Sequence, residues 1–227
     1  MAWRSFLTKS NLIRRRRGPA IDSSGVDNIL SDLNIDDKLR NVWDDLREFS
    51  LLAELAHQTT GTLDPSLVNE AMISIMYRLL HLSPTKSTVE DTLRSGLLIY
   101  CTHVFLPGQT FVGRYRHLVD ELRKSFDDPR TLLGGVPTAI QLWLAIMAMV
   151  LYPPAVQDAV FARAVSNALS VQGLRSWSEM RAVLKSVMWI SFMHDQPGRL
   201  IVDAVISSGI RAEESVFAGQ ETQPSMT

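Results

Sequence analysis

The most restrictive feature of this sequence is the apolar run AIQLWLAIMAMVLY at residues 139–152, which lies between Pro137 and Pro153. A helix that spans a bilayer needs about 20 apolar residues, so this run is too short to cross a membrane. Its apolar residues fall on every side of a helix, which is typical of a helix surrounded by protein. The run therefore predicts a helix buried in the protein core.

The composition is that of an ordinary globular protein, with 46% apolar residues, 21% charged residues and a net charge of -1. A charge so close to zero creates no general attraction to nucleic acid or to an anionic membrane. The only cysteine, Cys101, excludes an internal disulfide and any metal site built from several cysteines. This usage of cysteine indicates a reducing compartment, the cytosol or the nucleus.

Beyond the run, apolar residues recur from Asp36 onward at steps of three and four, the period of amphipathic helices. The predicted buried face of the first helix consists of Leu39, Val42, Trp43, Leu46, Phe49 and Leu52. Asp64 and Pro65 predict the start of the second helix, because aspartate caps a helix and proline fits its first turn. The predicted buried face of that helix includes Leu67, Met72, Ile75, Met76, Leu79 and Leu80. Since no alternating run closes in a hairpin turn, the sequence predicts an all-α fold, a single irregular bundle of about eight mostly antiparallel helices.

Three segments are expected along the chain: a basic, flexible arm at 1–35, a helical domain at 36–208 and a polar tail at 209–227. The arm contains the consecutive basic residues Arg14, Arg15, Arg16 and Arg17. Such a run is typical of nuclear import signals and of segments that contact phosphates. A solubilising arm without structure and a mitochondrial presequence are the two alternative interpretations.

The stretch GLRSWSEM at residues 173–180 predicts a junction between two helices. Gly173 is expected to close the preceding helix in the left-handed conformation. Ser176 and Glu179 have the spacing of a capping box, in which each side chain accepts from the other residue's backbone N–H. Trp177 is expected to pack as an aromatic anchor beside the preceding helix. The junction is predicted to be structural.

No pattern in the sequence predicts catalysis, a cofactor or a metal site. No histidine stands at a metal-binding spacing from another ligand. Cys101 and His103 are two residues apart, so on a helix they point to different faces and do not form a nucleophile pair. His194 and Asp195 are expected at a helix C-terminus, where the helix dipole favours a cation.

The methionines of the apolar run leave a second function open. Trp143, Met147 and Met149 are predicted core residues, but methionine also adapts to varied ligands. The alternative to a filled core is a cavity between helices that binds a small apolar molecule.

Several segments, taken in order, carry a family resemblance. They are LDPSLVNEAMISIMYRLL, LRSGLLIYCTHVF, WLAIMAMVLY, GLRSWSEMRAVLKSVMWI and PGRLIVDAV. The series resembles the C-terminal part of the helical regulatory domain of fungal zinc-cluster transcription factors, over residues 36–206. The most characteristic segments are YRLL at 77–80 and SWSEM with VMW between 176 and 189.

The resemblance implies an all-α domain in the nucleus that regulates transcription without catalysis, through protein partners, self-association or a full-length factor. It also implies a six-cysteine zinc cluster elsewhere in such factors, which a sequence with one cysteine cannot form. Sequence-specific DNA binding is therefore not expected, because arginines on phosphates read no bases. The sequence is expected to be a truncated relative, a piece of a longer factor, or a partner of full-length factors.

Overall fold

A computed structural model of the chain describes residue 30 and residues 33–59, 63–82, 88–106, 115–127 and 135–220. Within these ranges there are eight α-helices and no strand, which confirms the predicted all-α class. They are α1 (Asp37–Gln58), α2 (Pro65–His81), α3 (Thr88–Phe105), α4 (Arg116–Asp127), α5 (Thr138–Leu151), α6 (Ala159–Gln172), α7 (Trp177–Val187) and α8 (Ser191–Gln220). A 3-10 helix, Pro153–Gln157, precedes α6. The arginine run at 14–17 lies outside the described residues.

Helix α5 occupies the centre of the bundle, as the apolar run predicts. All its residues from Ile140 to Met149 are buried, and α3, α6, α7 and α8 pack against it. The one amide on this helix is satisfied, because Gln141 Nε2 donates to the Val136 carbonyl at 2.7 Å. Burial of the whole helix surface explains why the run carries no polar face.

Helices α3 and α5 are in close contact at Gly96. A Cβ atom placed on Gly96 would lie 2.0 Å from Cδ2 of Leu144, which is buried in the core. Only a residue without a side chain fits at this position unless Leu144 moves. This glycine therefore serves packing between two helices and not a turn.

Aspartate side chains cap three of the helices. Asp36, Asp64 and Asp158 accept from the backbone N–H groups of Lys38, Ser66 and Val160 at 2.7, 2.8 and 2.9 Å. The start at Asp64-Pro65 is thus confirmed. From the sequence, Pro153 and Pro154 predict the start of one helix that runs to about Gln172. This prediction is wrong, because Asp158 leaves the helical conformation to cap α6 and separates it from the 3-10 helix.

The predicted helix closure at Gly173 and the capping box of Ser176 and Glu179 are confirmed. Gly173 adopts φ 63°, the left-handed conformation that glycine tolerates best. Ser176 Oγ accepts from Glu179 N–H at 3.3 Å, and Glu179 Oε2 accepts from Ser176 N–H at 3.0 Å. The Glu179 carboxylate also accepts from Arg175 N–H at 2.7 Å, and these backbone donors lower its pKa. A cap of this kind contributes about 1 kcal/mol.

Helix α8 is longer than the sequence indicates. The sequence predicts a last short helix after Pro197 and a polar tail from residue 209. The helix instead begins at Ser191 and runs to Gln220. Pro197 lies inside the helix, where it removes one backbone donor. The turn before Pro197 is nevertheless helical, because side chains from other helices form hydrogen bonds with Ser191 at its start.

Candidate functional site

Side chains from α1, α5 and α7 form hydrogen bonds with residues at or just before the start of α8. We call the segment 188–195, with the side chains that bind it, the α7–α8 junction. One hydrogen bond connects the junction to the core: Trp143 Nε1 on α5 donates to the Met188 carbonyl at 2.6 Å. Both groups are buried, so each needs the other to satisfy its hydrogen bond.

Glu54 on α1 binds the first residue of α8. Its Oε2 accepts from the backbone N–H of Ser191 at 2.8 Å, and its Oε1 accepts from Ser191 Oγ at 2.7 Å. Lys185 Nζ on α7 also donates to Oε1, at 2.9 Å. A carboxylate at a helix N-terminus satisfies free N–H groups and complements the helix dipole. Glu54 thus links α1, α7 and α8.

The ionisation of Glu54 is coupled to these contacts. Burial alone would raise the pKa of this carboxyl, whose side chain is 13% exposed. The hydrogen bonds from Lys185 and Ser191 outweigh burial and lower the pKa to about 2. Glu54 is therefore charged throughout the physiological range, as a structural acceptor must be.

Asp195 is the second carboxylate of the junction. Its Oδ1 accepts from Trp189 Nε1 and its Oδ2 from Arg181 Nε, both at 2.8 Å. Arg181 also donates to Ser191 Oγ at 2.8 Å. The carboxylates of Glu54 and Asp195 are thus both bound by donors of this chain, which suits them to positioning α8.

His194 is fully buried in the first turn of α8, so its predicted place at a helix C-terminus is wrong. Its Nδ1 accepts from the Ile190 backbone N–H at 2.9 Å, which leaves the neutral ring with its proton on Nε2. That Nε2 has no hydrogen-bond partner among the described residues. Burial, together with the neighbouring His103, lowers the pKa of His194 to about 3. His194 therefore accepts a backbone hydrogen bond at the start of α8 as a neutral ring. It does not place a positive charge at a helix C-terminus.

Three rings surround His194. They belong to Trp189, His103 and Tyr100, with centroids 4.9, 5.1 and 5.4 Å away. The Tyr100 hydroxyl donates to Ser50 Oγ at 2.6 Å, since the single Ser50 proton goes to the Leu46 carbonyl. Burial raises the pKa of Tyr100, so the phenol stays protonated.

Cys101 and His103 show the properties expected of packed residues. The Cys101 thiol is fully buried, and burial raises its pKa. Burial also lowers the pKa of His103. A reactive cysteine needs surroundings that stabilise its thiolate, whereas burial of Cys101 favours the neutral thiol. No group of three metal-ligating side chains occurs within the described ranges.

Trp143, Met147 and Met149 lie where the sequence predicts them, in the buried helix. Met149 also borders a cavity of about 230 Å³ between α5, the 3-10 helix and α8. Apolar residues line it, among them Pro153 and Leu200. Trp143 and Met147 do not line this cavity and are core residues.

Trp177 packs toward the α7–α8 junction. Its ring meets that of Trp189 edge to face, with centroids 6.4 Å apart. A Cβ on Gly198 would lie 3.0 Å from the Trp177 ring and 2.8 Å from the Trp189 ring. The sequence predicts an aromatic anchor beside the preceding helix, whereas these contacts are with Trp189, in the connection before α8, and with Gly198 on α8.

The outer face of α2 carries a row of apolar side chains that the fold leaves exposed. Ile73, Tyr77 and Leu80 are 56%, 60% and 59% exposed. With Glu70 they recur at steps of three and four, so they lie along one side of the helix. We call these four residues the α2 seam. The opposite side, with Ala71, Ile75 and Leu79, is buried.

The seam is not predicted from the sequence, because the predicted apolar face of α2 leaves out Ile73 and Tyr77 and includes Leu80. Leu80 and Leu67 on α2, and Leu52 on α1, were predicted to be buried, and they are 59%, 45% and 42% exposed. Periodicity places residues on a face but does not say how many faces of a helix are covered. The sequence does contain a signal for the seam, since α2 carries apolar residues on both of its sides.

Comparison of the chain with protein-family models, with curated proteins and with solved structures finds no match. In the part of the chain that the structure describes, no helix is both long and apolar enough to span a membrane.

Proposed function

We propose that this chain is a non-enzymatic regulatory module that modulates transcription in the nucleus through protein partners. The observation that carries the proposal is the α2 seam, where three large apolar side chains are more than half exposed in a row. Exposed apolar rows of this kind mark sites where proteins bind other proteins. A helix laid along another helix is a common mode of such binding.

The link to transcription comes from the ordered segments that resemble fungal zinc-cluster factors. Tyr77 and Leu80 of the α2 seam are the first and last residues of the YRLL segment, which is part of that resemblance. The arginines at 14–17 suit nuclear import or phosphate contact, and without base contacts they give no sequence-specific DNA binding. The proposed module therefore reaches its genes through a partner that binds DNA.

Small-molecule binding is the competing function, and the cavity beside Met149 is what favours it. Its volume of about 230 Å³ is below the roughly 300–1,000 Å³ of most ligand sites. Such sites also use a few polar groups to orient the ligand, and here the lining residues are apolar. We therefore rank this function second, with a mitochondrial helical protein third.

The nuclear location has a direct test in cells. A fluorescent fusion of the full chain is expected to accumulate in the nucleus, and residues 1–35 alone are expected to carry a reporter there. The matched control replaces Arg14, Arg15, Arg16 and Arg17 by alanine, which removes the basic run. Imaging of these fusions measures the nuclear fraction. Exclusion of both unmodified fusions from the nucleus would count decisively against the proposed function.

A further inference from the structure

Two hydrogen bonds between Ile190 and His194 close the first turn of α8. Nδ1 of His194 accepts from the Ile190 backbone N–H, and the His194 backbone N–H donates to the Ile190 carbonyl, both at 2.9 Å. The first of these bonds needs a lone pair on Nδ1, which only the neutral imidazole has. The start of α8 therefore depends on the protonation state of one ring.

The buried position of His194 opposes protonation of its ring. An imidazolium has an N–H on both nitrogens and accepts no hydrogen bond, so its Nδ1–H would face the Ile190 N–H, donor against donor. Nε2 has no hydrogen-bond partner among the described residues that could stabilise the charged form. The ring is fully buried at a helix N-terminus, where water does not solvate a charge and the helix dipole repels a cation.

The two carboxylates of the α7–α8 junction are already bound by cations from α7. Glu54 on α1 attracts a positive charge on His194, but its Oε1 accepts from Lys185 at 2.9 Å. Asp195 on α8 accepts from Arg181 at 2.8 Å. A charged ring would have to compete with these donors for either carboxylate.

The other elements around His194 do not favour a positive charge. On α3, the rings of His103 and Tyr100 lie 5.1 and 5.4 Å away, a charge on His103 repels one on His194, and the phenol is neutral. Helix α5 and the 3-10 helix contain no titratable residue, and α6 contains only Arg163, whose side chain is 71% exposed. Four further titratable side chains on α1, α7 and α8 are exposed to water: His57, Glu179, Arg199 and Asp203.

We propose that His194 is a pH switch: the start of α8 stays packed against the bundle while the ring is neutral and is released when the ring takes up a proton. Release breaks the contacts at Ser191, which Glu54 of α1 and Arg181 of α7 both bind. The switch therefore controls the connection between α1, α7 and α8. It does not involve the α2 seam, so it stands apart from the proposed binding of partners.

The switch is closed at neutral pH and opens in acid. Burial, together with His103, lowers the pKa of His194 from 6.5 to about 3 in the packed state. The released ring regains its ordinary pKa, so below about pH 6.5 the released state binds a proton that the packed state excludes. The packed state thus has its full stability above about pH 6.5 and loses it as the pH falls toward 3. The ratio of released to packed chain is expected to rise up to about tenfold per pH unit.

Hydrogen exchange of the full chain, followed by mass spectrometry between about pH 7.5 and 5, tests the switch above the range in which Glu54 titrates. Protection at residues 188–196, corrected for the intrinsic exchange rate at each pH, is expected to fall by up to about 30-fold. Protection of α5 is expected to change much less. An equal fall in α5 would indicate unfolding of the whole bundle and would overturn the switch.

His194→Asn removes the titration and keeps an acceptor, because the asparagine Oδ1 takes the place of Nδ1. Protection at 188–196 is expected to become independent of pH in this variant. His81→Asn is the matched control, since His81 is exposed on α2, and it is expected to keep the full pH response. A response that survives His194→Asn, or one that disappears in His103→Asn instead, would assign the proton to another group and refute the switch.

Nitrogen NMR of the histidine rings in the unmodified protein supplies a readout that needs no variant. The packed His194 ring is expected to keep Nδ1 unprotonated and Nε2 protonated over the same pH range. A ring that takes up a proton while protection at 188–196 stays constant would show that charge and release are not linked, and the switch would be wrong.

Discussion

Replacing Trp143 by alanine is expected to lower the free energy of unfolding by about 3–5 kcal/mol. The indole is fully buried, and its ring meets those of Trp43 and Tyr100 with centroids 5.6 and 5.7 Å apart. The substitution opens a cavity in α5 and leaves the Met188 carbonyl without its donor. Denaturant unfolding followed by circular dichroism measures the change.

Trp143→Phe separates the ring from its hydrogen bond. It keeps much of the apolar contact but removes the donor, so the expected loss is smaller, about 1–3 kcal/mol. Phe192→Ala is the surface control, because Phe192 is 51% exposed, and its expected loss is under about 1 kcal/mol. If Trp143→Ala unfolded at the same denaturant concentration as the unmodified protein, α5 would not be the centre of the bundle.

Replacing Glu54 by glutamine is expected to destabilise the protein by about 3 kcal/mol near neutral pH. The pKa of Glu54 falls from the ordinary 4.5 to about 2, and each pKa unit corresponds to about 1.4 kcal/mol. A folded-state pKa below the unfolded value means that the contribution is complete above about pH 4.5. It is lost progressively as the pH falls from about 4.5 to about 2.

The measurement is unfolding at a series of pH values. The unmodified protein is expected to lose stability over that acid range, and Glu54→Gln is expected to lose less, because glutamine does not titrate. Glu121→Gln provides the matched control, since Glu121 pairs with Lys124 on the exposed side of α4 and contributes little. Equal pH profiles for the unmodified protein and Glu54→Gln would rule out the assigned role of this carboxylate.

The parts of the fold that the sequence predicts are those with local causes. The Ser176–Glu179 capping box and the turn at Gly173 use groups within a few residues of one another, so spacing alone identifies them. The burial of α5 follows from a run without a polar face. The break at Asp158 was missed because the two prolines gave an equally good local start five residues earlier.

The α7–α8 junction could not be predicted, since its contacts join residues far apart in the chain. Glu54 and Ser191 are separated by 137 positions, and no local pattern connects an exposed-looking glutamate on α1 with the start of α8. The burial of His194 could not be predicted for the same reason. His194 lies in the first turn of α8, and contacts between distant residues determine where α8 begins. The α2 seam required knowing which side of the helix its neighbours cover.

The most direct test of a role in transcription is a reporter assay in which the chain is fused to a DNA-binding domain of known target. The proposal predicts that the fusion changes reporter output relative to that domain alone. Ile73→Glu in the α2 seam is expected to reduce the change. Val171→Glu is the matched control and is expected to leave it intact, because Val171 is 66% exposed on α6, outside the seam. Output equal to that of the DNA-binding domain alone, from a folded and nuclear fusion, would contradict the proposed function.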